Sequence, residues 1–123
     1  MRCPFDYAVV RVVPHVEREE FVNAGVILFC ESRDFLASRV ELDEARLLAL
    51  APDVDLDLVR RHLEAIPRVC EGKGAIGRLT IRERWRWLVA PRSTIVQTSP
   101  AHGGLGEPEE ALEHLMARVV RCR

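Results

Sequence analysis

Five polar residues stand where strand-like segments begin or end, Glu20, Asn23, Arg92, Ser93 and Gln97, and His102 lies in the glycine-rich stretch that follows. Arg92 offers a planar fork of donors that matches a carboxylate or phosphate, and Ser93, Thr94 and nearby backbone N–H groups would add to it. If the second and fifth strands are neighbours, the six converge at one end of a sheet as a small anion- or partner-binding pocket, with His102 brought in by a glycine-rich loop. A plainer arrangement is equally available. In it Glu20 pairs with Arg92, Asn23 ties down its own turn and Gln97 satisfies a neighbouring backbone group, so that nothing is bound. An enzyme on a phosphate-bearing substrate would need a base within hydrogen-bond reach of the arginine. Glu20 and His102 are the only candidates, no spacing selects them, and no catalytic residue is assigned.

Other chemistries find less support. Cys3, Cys30, Cys70 and Cys122 contain no C-x-x-C, and the four histidines no H-E-x-x-H, so no metal site is expected. Cys30 and Cys70 read as small core residues and Cys122 as a tail thiol. Gly72-Lys73-Gly74-Ala75-Ile76-Gly77 matches G-x-G-x-x-G. A dinucleotide fingerprint needs a strand before the glycines and a helix after them. Here a helical pattern precedes and a strand-like one follows, which makes the stretch a flexible connector. No cofactor is expected.

The formal net charge of −1 conceals a basic surplus over residues 72–99, where Lys73, Arg78, Arg82, Arg84, Arg86 and Arg92 face only Glu83. That surplus favours an anionic partner there. A stripe of Arg82, Arg84 and Arg86 on a strand could track phosphates, but a solvated outer face is the commoner use. A near-neutral chain with a sequence pI near 6.4 argues against nucleic acid.

The elements that must position these residues follow from hydrophobic period. Phe5 to Val13 is rich in β-branched and aromatic residues, which predicts a central strand. Asn23-Ala24-Gly25 predicts a turn before a buried strand Val26 to Cys30, and Glu31 to Asp34 a second turn before an antiparallel strand Phe35 to Leu42. Asp43 is placed to cap a helix Glu44 to Leu50, ended by Pro52. Asp53 or Asp55 is placed to cap a longer one with Leu56, Val59, Leu63, Ile66 and Cys70 at three- and four-residue steps. Residues 81–89 alternate, with Ile81, Glu83, Trp85, Trp87 and Val89 on one side, and so read as another strand, with the tryptophans in the core. Ile95 to Gln97 reads as a short strand. Thr98 to Gly106 reads as a mobile glycine-rich loop, suited to a lid. Glu107 then opens a terminal helix with Ala111, Leu112, Leu115, Met116 and Val119 on one face and Arg118, Arg121 and Arg123 towards its end.

Three stretches resemble an uncharacterised bacterial family, Domain of Unknown Function 3037. They are Tyr7-Ala8-Val9-Val10-Arg11-Val12-Val13-Pro14, Glu20-Phe21-Val22-Asn23-Ala24-Gly25-Val26-Ile27-Leu28-Phe29 and Trp87-Leu88-Val89-Ala90-Pro91-Arg92-Ser93-Thr94-Ile95-Val96-Gln97, followed loosely by His102-Gly103-Gly104. The family carries no established activity. Its members are encoded near HipA-like kinase genes in some bacteria, so the resemblance implies a kinase partner.

The 123 residues predict one α+β domain with a largely antiparallel sheet of four to five strands and helices packed on one face. No apolar run approaches the roughly 20 residues that cross a bilayer and no signal-peptide pattern opens the chain, so the expected compartment is the cytoplasm. The function expected is a binding or regulatory module without catalysis. A nucleic-acid-associated protein and a small phosphate-directed enzyme are the alternatives.

Overall fold

A computed structural model describes residues 2–121. Its framework is a five-stranded antiparallel sheet. Strand β1 (Cys3–Val12) lies between β2 (Val22–Cys30) and a shared far edge, and β3 (Phe35–Val40) extends the meander beyond β2. Along that far edge β4 (Val96–Thr98) pairs with residues 10–12 of β1, and β5 (His102–Gly106) pairs with residues 3–7. The predicted glycine-rich lid is therefore a strand. Its glycines are required by proximity: a Cβ on Gly104 would sit 2.4 Å from the Phe5 ring.

Ser99 joins the two edge strands and is the one buried polar residue among those described. Its N–H donates to the Val9 carbonyl at 2.8 Å, while its Oγ accepts the Val9 N–H at 2.9 Å and donates to the Pro100 carbonyl. A side chain thus completes a ladder bond where the backbone turns away.

Asn23-Ala24-Gly25 makes no turn. β2 runs through it, and Ala24 is the extra residue of a β-bulge opposite Val10 and Arg11. The bulge changes which residues face which side. Val22 and Ala24 before it, and Ile27 and Phe29 after it, all enter the larger core, whereas Val26 and Leu28 face the other side. Gly25 is fixed by close approach, since a Cβ there would lie 2.5 Å from the Arg39 carbonyl.

The larger core is covered by α1 (Glu44–Leu50), α2 (Leu56–Cys70) and α4 (Ile81–Val89). The first two begin where expected, with Asp43 and Asp55 accepting the Arg46 and Leu58 N–H groups. Pro67 sits inside α2 without ending it. The connector between α2 and α4 holds a short helical turn, α3 (Gly74–Gly77), with Gly77 packed directly on the Gly72 backbone. Opposite this layer, α5 (Pro108–Leu115) and a π-type turn over Met116–Val120 cover Val26 and Leu28 through Leu112, Met116 and Val120. The helical cover is thus one large layer with a smaller one across the sheet. Cys122 and Arg123 lie outside the described residues.

The predicted strand over 81–89 is instead helix α4. Thr80 and Glu83 form a capping box: Thr80 Oγ accepts the Glu83 N–H at 3.2 Å, and the Glu83 carboxylate accepts the Thr80 N–H at 3.0 Å. Ile81, Trp85 and Leu88 then fall at helical steps against the large core, with Trp85 stacked on Phe29 at 5.6 Å between centroids. Trp85 anchors the core as expected, but Trp87 is 37% exposed. Pro91 prevents further helix, and Ala90 before it is already extended.

Candidate functional site

Val12 pairs with Val22 on one side and Val96 on the other, and the Val13 N–H donates to the Ile95 carbonyl at 2.7 Å. The connections carrying Glu20 and Arg92 therefore enter the sheet at the same end. β2 and β4 are not neighbours, because β1 lies between them. Arg11 of β1 stands between Asn23 and Gln97 in register, so these three side chains leave one face of the sheet. The Arg11 guanidinium carbon lies 4.2 Å from the Phe21 ring centroid.

The structure brings the segments together but directs their side chains elsewhere. Glu20 pairs with Arg18 at 3.9 Å rather than with Arg92. Asn23 donates to the Val119 carbonyl at 3.2 Å and so ties β2 to the C-terminal turn instead of its own turn. Gln97 donates to the Thr94 carbonyl at 2.9 Å. Ser93 is exposed. His102 pairs with Tyr7 on β5, its ring 5.5 Å from the tyrosine ring. Tyr7 is four residues along β1 from Arg11, about 13 Å away at strand rise, so His102 does not join the group. Much of the polar insert thus bonds nearby backbone.

Arg92 itself caps a helix. It donates to the Trp87 and Ala90 carbonyls at the end of α4 and lies over the Trp87 ring, 4.5 Å from its centroid. Behind this stack opens a cleft of about 390 Å³ between α2, the end of α4 and β4. Ile66, Leu88 and Val96 line it with apolar surface. Arg61, His62 and Arg92 stand at its border, with Thr94 and Gln97 beside them. Arg61 makes only a long contact to the Asp57 carbonyl, and no carboxylate meets either arginine among the described residues. An apolar cleft bordered by cations suits an acidic group carried on an apolar body. Arg61 and His62 escape a sequence reading that takes α2 as scaffold. Their signal is position, since Arg61 and His62 precede the buried Ile66 by five and four residues and adjoin the apolar stripe.

The rest of the basic stretch is largely committed to the fold. Lys73 pairs with Glu71, and Arg82 with Glu31, whose carboxyl is held below its ordinary range by the Arg82 hydrogen bond. Arg84 donates to the Val69 and Cys70 carbonyls and to Leu79, closing the end of α2. Because α4 is a helix, Arg82, Arg84 and Arg86 form no strand stripe. No group of three metal-ligating side chains occurs among the described residues. No described helix is long and apolar enough to cross a membrane.

No curated protein and no solved structure matches the chain. One family model does, that described as Protein of unknown function (DUF3037), over residues 7–120. That span takes in all three stretches on which the resemblance rested, together with the whole cleft, and the chain therefore belongs to this family.

Proposed function

We propose that the protein is a binding module without catalysis, and that the cleft between α2, α4 and β4 receives an acidic, partly apolar segment of a protein partner. The observation that carries this is the pairing of an apolar lining at Ile66, Leu88 and Val96 with two arginines that no described carboxylate neutralises. A buried acid on the partner would gain charge-assisted hydrogen bonds there while its apolar part displaces water. A HipA-like kinase is the partner to try first, on the strength of the family resemblance. The nucleic-acid reading has less behind it, because Lys73, Arg82 and Arg84 already have partners within the fold. The enzyme reading has less still, with Glu20 and His102 each engaged away from Arg92.

Calorimetric titration of the purified protein with a HipA-like kinase from the same genome tests the reading. Arg61→Glu reverses a charge on an exposed helix position and should weaken binding by about tenfold or more. Unchanged affinity in that variant would remove the cleft from the interface, and no heat of binding for the native pair would remove the kinase.

A further inference from the structure

Cys3 opens β1 and Cys30 closes β2, and both side chains leave the sheet on the side of the smaller core. Their Sγ atoms lie 3.0 Å apart, although 27 residues separate them in the chain. A disulfide requires about 2.05 Å, so roughly 1 Å of movement at a strand end would join them. Cys30 is fully buried, and the pair meets solvent only on the Cys3 side. Cys3 keeps 6% of its surface exposed, so an oxidant reaches the pair at this strand end, where the movement that closes the bond also takes place. Cys70, by contrast, sits in the large core across the sheet.

We propose that Cys3 and Cys30 form an oxidisable dithiol, which a hydroperoxide converts to an intramolecular disulfide fastening the start of β1 to the end of β2. Their surroundings divide the roles. Burial pushes the Cys30 thiol up, but hydrogen bonds from Cys3, Ser32 and the Arg33 backbone outweigh it and leave the thiol more acidic than usual. Cys3 is shifted the other way, first by its hydrogen bond to Cys30 and then by burial. Of the two, Cys30 is the better thiolate. Cys30 attacks a peroxide oxygen; the S–O bond forms, the O–O bond breaks, and the departing oxygen takes a proton as alcohol or water. The Cys3 sulfur then displaces hydroxide from the Cys30 sulfenic acid, so that S–S forms as S–O breaks, and the Cys3 proton leaves in water. The two sulfurs together lose the two electrons that the peroxide gains.

The test treats the reduced full chain with hydrogen peroxide at neutral pH, blocks remaining thiols and maps the peptides by mass spectrometry. The expected product has lost two hydrogens, links Cys3 to Cys30, reverts with dithiothreitol and melts roughly 10 °C higher than the reduced protein. Cys70→Ala and Cys122→Ser variants should give the same product. Cys3→Ser should halt at a Cys30 sulfenic acid that dimedone captures. Overoxidation of Cys30 to sulfonic acid in the native chain, or a linkage to Cys70 or Cys122 instead, would overturn the proposal without touching the cleft of α2 and β4.

Discussion

The guanidinium of Arg92 lies 4.5 Å above the ring of Trp87 while donating to that residue's carbonyl, so one side chain both shields an aromatic and closes a helix. Arg92→Ala loses a half-exposed cation–π contact and two helix-end hydrogen bonds, and stability should fall by about 1–2 kcal/mol. Arg92→Lys should recover little of it, because a point charge cannot stack flat and reach two carbonyls together. Urea unfolding of both variants measures this. A lysine variant as stable as the native chain would mean that charge alone matters there.

The capping box decides between the two periods that residues 81–89 can carry. Thr80→Ala should cost about 1 kcal/mol by leaving the Glu83 N–H without its acceptor. Thr80→Val makes the sharper test, since valine favours strand but cannot accept a hydrogen bond. It should destabilise by a similar amount and lower the helical circular dichroism signal. A more stable valine variant would contradict the role assigned to Thr80.

Cys70 gives an alkaline signature. Burial pushes its thiol from 9.0 up to about 11. Below the lower value the thiol is protonated in both folded and unfolded chains, and its contribution to stability is complete. As pH rises from 9.0 towards about 11 the unfolded chain releases the proton and the folded one holds it, so stability declines. The decline attributable to this group should approach about 3 kcal/mol at full extent. Cys70→Ala should start less stable at neutral pH and show a shallower alkaline fall; parallel curves for the two proteins would assign that fall to other groups.

Much of the architecture is legible in the residues. The runs from Phe5 to Val13 and from Val26 to Cys30 can only be buried strand, and Asp43, Asp55 and Pro108 mark helix starts by chemistry that acts locally. The failures occur where two local rules compete. From Ile81 to Val89 a two-residue alternation of arginine and tryptophan coincides with Ile81, Trp85 and Leu88 at helical spacing, and the T-x-x-E signal at Thr80 and Glu83 is what separates them. His102 to Gly106 looks like loop because its glycines are read as freedom, whereas the Phe5 ring, remote in sequence, leaves no room for anything larger at Gly104. The expected pocket is half visible. Strand order brings the connections of Glu20 and Arg92 to one end of the sheet, but only packing decides that Arg92 turns back onto its own helix and that Arg61 of α2 stands across from it.

The extra residue at Ala24 means that β2 is written in two phases, with valine at 22 and isoleucine at 27 serving the same interior from opposite parities. Removing that single residue would leave an uninterrupted ladder in which Gly25, Asn23 and Val22 keep Val10, Arg11 and Val12 as partners, so Val22 would still serve the larger core and Asn23 the opposite side. For this strand, spacing is a looser inheritance than composition: the bulge lets the chain carry one residue more while the same apolar side chains reach the same interior.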